Sequence, residues 1–319
     1  MSTSSSQKLL PHLGFVLVYV LWGINMTSMK IGGTEWDPLV FNGLRFASMI
    51  PILWVYTYFY YRSRSLQIDI QLKDFLLVCG LGILNAVGME SLLQYALQFS
   101  NAANGAVLGR GFMPVITVII ALATRQVKLT WRIMVGIPLA LGSVIVIVSG
   151  GAGGFHIGAD TFRGDILLLM RSVMGAVYLI GMNRLVSKYP LPLLISLEMT
   201  AGAAALLPFV FYYADTSYFA AISKTGWFSL IYTSMFATAL GFSIHNWSLG
   251  RLGAFKSSAY GYLLPITAAL AGFFVLHESI SLYQCIGGAG VLTAMYLVQR
   301  DRGRSPVHTT GAATNSVKL

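Results

Sequence analysis

The sequence is short of charge. Only 10% of its 319 residues are Asp, Glu, Lys or Arg, against roughly 25% in an ordinary soluble domain. Acid is the scarcer sign, with 11 Asp and Glu against 21 Lys and Arg, for a formal net charge of +10. Cysteine is nearly missing. Cys79 and Cys285 are the two present, each in an apolar segment, which rules out a disulfide scaffold and leaves two small packing side chains. Catalytic signatures are missing too: there is no HExxH, GxSxG, Walker loop or Cys/His metal spacing. "GGAGG" at 150–154 lacks the strand and helix of a nucleotide fingerprint. No catalytic residue, metal or cofactor is therefore expected. What the chain has in quantity is apolar: 56% of residues are hydrophobic and the mean hydropathy is +0.70. A soluble domain cannot hide so much apolar surface, so lipid is the solvent for much of it.

A spanning helix needs about 20 mostly apolar residues. Ten segments qualify: 12–29, 38–60, 74–97, 101–124, 131–149, 164–186, 190–212, 226–249, 254–276 and 280–299. Short connections such as "QFSNAA" and "GRLGAF" predict tight antiparallel hairpins. The first apolar run follows a polar stretch, 1–11, and has no small-residue cleavage site, so it is expected to be retained as a helix. The polar tail, 300–319, is expected to be disordered. With the N-terminus placed in the cytoplasm, fifteen Lys and Arg fall on the inner side and three on the outer side, while Arg45, Arg110 and Arg171 lie within spans. That bias predicts a multi-pass protein of a cell inner membrane or plasma membrane with both termini cytoplasmic. It also explains the net charge without nucleic acid.

The chain repeats itself. Pro38-Leu39 recurs as Pro190-Leu191, and "QYAL" at 94–97 answers "NWSL" at 246–249, both 152 residues on. "FMPVIT" at 112–117 answers "LLPIT" at 263–267 with a one-residue slip. The expected fold is an all-α integral membrane protein of ten helices in two inverted five-helix repeats. The first repeat spans 12–149 and the second 164–299, joined by an external linker, 150–163. Five is odd, so the second copy enters the membrane from the opposite side, as in many alternating-access transporters.

"LWGIN" (Leu21–Asn25), "PLVFNGLRF" (Pro38–Phe46) and "LQYALQFSNAANGAVL" (Leu93–Leu108) resemble the first half of an EamA-type protein. "RGDILLLMRSVMGAVYLI" and the long stretch from "ATALGFSIHNWSLGRLGAF" to "IGGAGVL" resemble its second half. The likeness covers nearly the whole chain and points to the drug/metabolite transporter superfamily. It implies ten helices and transport of a small metabolite, commonly export. Amino acids, riboflavin, nucleotide-like compounds and metallophores are all carried by relatives of this kind. The family usually closes its fourth helix with a Glu, matching Glu278 after the ninth. Here Arg125 and Gln126 stand at that point.

Charge inside a span costs roughly 2.5–3.5 kcal/mol at helix centre and marks candidate function. Glu90 lies ten residues before the turn at Ser100 and Arg110 ten after, so both sit about 15 Å from that turn on adjacent helices and can pair. A structural pair and a pair of substrate ligands are both open readings. Arg45 and Arg171 either snorkel to the headgroups or join Arg110 in a cationic site for carboxylates or phosphates. Glu198 in the seventh helix is either a structural or a functional partner. Trp22 and Asn25 share a face of the first helix at i, i+3. Tyr95 and Trp247 are repeat-related, as are Gln94 and Asn246. With Tyr262 these complete the candidate substrate site: Arg110, Glu90, Arg45, Arg171, Trp22, Asn25, Tyr95, Asn246, Trp247 and Tyr262. Glu90 and His245 are the candidate proton carriers. Pro114 and Pro265 are the candidate hinges. The expected function is secondary transport, with export of a small polar or anionic metabolite such as an amino acid or an amino-acid-derived carboxylate. The alternatives are import or exchange of a vitamin or nucleotide-like compound, or a membrane sensor or enzyme. The partners are the small-molecule substrate and the bilayer, with a homodimer left open and nucleic acid not expected.

Overall fold

The computed structural model describes residues 5–65, 67–124, 129–149 and 160–302. Arg125 and Gln126, most of the linker 150–163 and nearly all of the tail therefore lie outside the described residues.

Apolar runs give the helices and polar side chains stop them. Seven helices among the described residues are long and apolar enough to cross a membrane: α1 (Leu9–Gly32), α2 (Pro38–Arg62), α3 (Leu72–Ala96), α4 (Ala102–Ala123), α6 (Thr161–Val186), α7 (Leu191–Tyr213) and α8 (Lys224–Leu249). Three shorter apolar helices are α5 (Trp131–Ile147), α9 (Tyr260–Leu276) and α10 (Leu282–Val298). This is an all-α, multi-pass membrane protein. Its outer surface carries large apolar side chains such as Phe211, Tyr212 and Phe274, at 80%, 81% and 70% exposure, as a lipid-facing surface requires.

Helix starts follow capping chemistry. Asp37 precedes Pro38, and its carboxylate accepts from the backbone N–H of Leu39 at 2.8 Å, satisfying a donor the helix leaves orphaned. Asn101 does the same for α4 through Asn104 N–H at 2.8 Å, after a turn of only five residues between α3 and α4. The "GRLGAF" stretch differs from the expected hairpin loop: helix runs over Gly241–Ser258 and is followed by a tight 3₁₀ turn, Ala259–Tyr262. The stretch has no proline, and glycine alone costs a helix only about 1 kcal/mol. A six-residue helix, Thr216–Ala221, stands where the sequence predicts a loop. Asp215 caps it by accepting from Tyr218 N–H at 2.8 Å.

Packing brings sequence-distant helices together. α2 lies along α7 and α5 along α10; α1 packs on α8 and α9, and α6 on α3 and α4; α3 also meets α7, and α2 meets α8. Two helices touch backbone to backbone. A Cβ on Gly82 of α3 would stand 2.3 Å from the Glu198 carbonyl of α7, so only glycine permits the crossing.

Three stretches are wound wider than an α-helix: Leu84–Ser91 in α3, Val107–Gly111 in α4 and Tyr232–Leu240 in α8. Hydroxyls stitch two of them five residues back. Ser91 Oγ donates to the Ala86 carbonyl at 2.9 Å and Thr238 Oγ1 to that of Thr233 at 2.8 Å. Such π-type turns are frequent at functional sites, and residues of all three line one cavity.

Candidate functional site

A cavity of about 400 Å³ is lined by residues from α1, α2, α3, α4, α6, α7, α8, α9 and α10. Its charged wall is built around one carboxylate. Glu90 Oε2 accepts from Arg45 NH1 at 3.0 Å, and Glu90 Oε1 accepts from Arg171 NH2 at 3.0 Å and Arg110 NH2 at 3.1 Å. Three guanidinium groups from α2, α4 and α6 thus converge on a single Glu of α3. Arg45, Glu90 and Arg171 are 6%, 5% and 2% exposed. Neither Arg45 nor Arg171 snorkels outward; the bundle interior holds both.

The arginines are held to different degrees. Arg45 spends its remaining donors on Thr238 Oγ1, at 3.2 and 3.1 Å, and on Asn42 Oδ1 at 3.2 Å. Asn42 is in turn fixed by donating to Gln94 Oε1 at 2.9 Å. Arg171 donates to the Gly109 carbonyl, which also accepts from Ser172 Oγ at 3.0 Å. Gly109 therefore serves through its carbonyl as much as through its lack of a side chain. Arg110 differs. Its side chain is 27% exposed into the cavity, its bonds go to Glu90 alone, and its Nε has no hydrogen-bond partner among the described residues. Arg171 Nε also lacks a partner among the described residues, but Arg171 is enclosed; Arg110 is the guanidinium partly exposed to the cavity, in a planar fork suited to carboxylate or phosphate.

The rest of the cavity lining is largely apolar and aromatic. Trp22 and Asn25 line it with Tyr19, Phe46 and Phe242. Trp22 is anchored by donating Nε1–H to the Ala237 carbonyl at 2.8 Å. Asn25 is 3% exposed and its Oδ1 has no partner among the described residues. Pro114 and Pro265 also line the cavity, each just past a distorted turn, Val107–Gly111 and Ala259–Tyr262.

Other sequence candidates lie elsewhere. Tyr95 is 48% exposed and packs edge-on against Phe99. Trp247 is 41% exposed, with the Arg251 guanidinium 4.2 Å from its ring centroid. Neither lines the cavity; Tyr95 is one residue, about 100° of helix turn, beyond the inward-bonded Gln94. The Asn246 side chain lies outside the described residues. Tyr262 does not line the cavity, although its neighbours Gly261 and Leu264 do. His245 packs against Trp22 and Phe15 at ring distances of 5.2 and 5.3 Å, behind the aromatic wall.

Among the cavity residues that escape the sequence reading, two share one partner. Asn85 and Tyr178 line the wall and both donate to Glu198, at 2.6 and 2.9 Å. Tyr178 was legible at i+7 from Arg171, two turns along one face. Asn85 was not. Five residues from Glu90 put it about 140° away on an ordinary helix, and only the wide turn aligns the two.

At one end of the bundle, Lys30 Nζ donates to Glu278 Oε1 at 2.7 Å and to the Ser100 carbonyl at 2.6 Å, while Glu278 Oε2 accepts from Ala102 N–H at 3.0 Å. Glu278 thereby caps the N-terminus of α4, where the helix dipole favours negative charge. At the other end Lys188 pairs with Asp74 at 3.0 Å.

Comparison with known proteins matches this architecture. A probable amino-acid metabolite efflux pump of Salmonella typhimurium (strain LT2) is 25% identical over 289 residues, covering 88% of this chain and 92% of that protein. Its counterpart in Escherichia coli (strain K12) is 24% identical with the same coverage. An uncharacterized transporter of Bacillus subtilis (strain 168) is 24% identical over 89% of this chain and 95% of its own. A crystal structure superimposes with a TM-score of 0.60 over 93% of this chain and 98% of the other, at 15% identity, which shows the shared fold. The sequence pattern of the EamA-like transporter family matches twice, at residues 9–149 and 162–300. The protein is a membrane transporter of the EamA-like transporter family.

Proposed function

We propose that this chain is a secondary transporter that exports a small metabolite carrying an anionic group, by alternating access around the central cavity. The carrying observation is the charge balance of the wall: three guanidinium groups meet one carboxylate, and Arg110, the one partly exposed to the cavity, bonds to Glu90 through NH2 alone. Excess positive charge in a dry site is stabilised by an anion. The aromatic lining would hold the apolar part of the cargo, and about 400 Å³ suits a small metabolite. An amino acid or amino-acid-derived carboxylate fits both parts of the lining, and two of the relatives bear names of that kind.

In this reading all ten helices cross the membrane, as two inverted repeats of five, with both termini cytoplasmic. The pairing of helices supports it. Exchanging each helix of the first five with its counterpart five further on converts α1–α9 contact into α6–α4, α1–α8 into α6–α3, and α3–α7 into α8–α2, all of them present. The distorted turns obey the same exchange, α3 with α8 and α4 with α9. The Lys30–Glu278 and Lys188–Asp74 pairs each join one half to the other and serve as closures at opposite faces. The test is flux into proteoliposomes across a panel of anionic, zwitterionic and cationic metabolites, nucleotide-like compounds included. Saturable flux of carboxylates is the expected result. Preference for a cation without an anionic group would overturn the reading.

A further inference from the structure

We propose that Glu198, reached through Tyr178, is the site in this cavity that binds and releases a proton during transport. The proposal rests on the cavity's being the transport site, and it concerns a carboxylate that the arginine cluster does not use. Glu198 is 2% exposed on α7, and among the described residues no ion pair reaches it. Its two oxygens have one donor each: Asn85 Nδ2 to Oε1 at 2.6 Å, and the Tyr178 hydroxyl to Oε2 at 2.9 Å. Both donors line the cavity, so the carboxylate sits one side chain behind its wall.

The partners decide which acid can cycle. Around Glu90 every ionic partner is a guanidinium, which donates and cannot accept. A proton on Glu90 would have to displace one of those donors and leave it unpaired in a buried site. Around Glu198 the Tyr178 hydroxyl both donates and accepts. With Glu198 ionised, Tyr178 donates to Oε2. With Glu198 protonated, Oε2–H donates to the Tyr178 oxygen, whose own hydrogen turns toward the cavity. Asn85 keeps its bond to Oε1 in both states. Uptake therefore balances without side-chain movement: hydronium in the cavity gives a proton to the Tyr178 oxygen, the former hydroxyl proton passes to Oε2, and water and a neutral carboxylic acid result. His245 has no such access, because it packs behind Trp22.

The surroundings couple the charge to the bundle. The titratable or charged groups acting on Glu198 are Tyr178 of α6 and Glu90 of α3; α2 presents the apolar Phe46 to this part of α7. The Asn85 bond crosses from α3 to α7 where Gly82 meets the Glu198 backbone. The proton thus arrives where the backbones of the two halves meet at Gly82 and Glu198.

The test needs no substrate. Infrared difference spectra of the purified protein in liposomes, titrated from acid to alkaline pH, should show the C=O band of a protonated buried carboxylic acid appear and vanish. Glu198→Gln should abolish that band. Tyr178→Phe should keep it and shift its frequency, because the hydroxyl partner is gone. A band unchanged in both variants would overturn the proposal, as would no titrating band in the wild type. Should Glu198→Gln fail to fold, the Tyr178→Phe spectrum decides alone, by its shift or lack of one. The panel of transported metabolites is measured separately, so failure of the anion reading leaves this result standing, and the reverse.

Discussion

Glu90 holds three guanidinium groups in a bundle with few acids to replace it. Removing it strands Arg45, Arg110 and Arg171 together, and unpairing one buried charge alone costs about 3–5 kcal/mol. Glu90→Ala should therefore abolish expression of folded protein, measured by monodisperse yield in detergent. Adding Arg110→Ala to it should not restore folding, because Arg45 and Arg171 remain buried without an anion. Arg110→Ala alone should fold, since Glu90 keeps two partners, and should lose most flux. Arg110→Lys keeps the charge but not the planar fork. Flux of a carboxylate should drop by about tenfold or more, corresponding to about 1.4 kcal/mol, with yield unchanged. Full flux in that variant would count against a carboxylate docking on Arg110.

Between residue and molecule stand the helix distortions and crossings. Gly82→Ala places a methyl group against the Glu198 backbone at 2.3 Å, where neither helix can yield by rotating a side chain. Thermal unfolding should register a loss of about 1–3 kcal/mol, and the Asn85–Glu198 bond should lengthen. The helix over Thr216–Ala221 responds to acid. Hydrogen bonds from the Tyr218 backbone N–H and from Ser217 hold the Asp215 carboxyl below the usual aspartate range. Its folded value is depressed, so the stabilisation is present above the unfolded value and is lost as pH falls through the folded one. Amide exchange at Tyr218 should accelerate only under strong acid, and Asp215→Ala should remove that dependence. Much of this level was legible in the sequence. Apolar runs located the long helices, and equal distance from the Ser100 turn brought Glu90 to Arg110. Hydropathy could not say which way Arg45 and Arg171 turn, because either direction leaves the run apolar. Repeat matching related Tyr95 to Trp247 but carries no information on facing; Gln94, bonded inward to Asn42, shows that its neighbour must look out. The wide turns left no mark in the sequence, and with them went Asn85.

Across the whole molecule, the Lys30–Glu278 and Lys188–Asp74 pairs would, on the proposed reading, set which face is shut. The Lys30–Glu278 pair sits at the Ser100 turn, and Glu90 and Arg110 of the cavity wall each lie ten residues along the chain from that turn. Lys30→Met should weaken that closure, and a cysteine placed at Asn25 should then react with impermeant thiol reagents added outside intact cells. In the otherwise unchanged protein the same cysteine should be protected. A cysteine near Glu35 should label from outside in either background, which checks the orientation independently. The four-charge wall has one more consequence, and it concerns ancestry. The 152-residue offset that relates the halves carries Glu90 to Phe242, Arg110 to Tyr262, Arg45 to Leu197 and Arg171 back to Tyr19. Every charge in the cluster thus has an uncharged twin, and two of the twins, Phe242 and Tyr19, line the cavity with it. A duplicated gene supplies two equivalent half-sites and would bind a molecule equally well in either of two flipped poses. On the proposed reading, divergence would leave the four charges in one half-site and uncharged side chains in its mirror, so a cargo with an anionic head and an apolar tail would enter the cycle in a single pose.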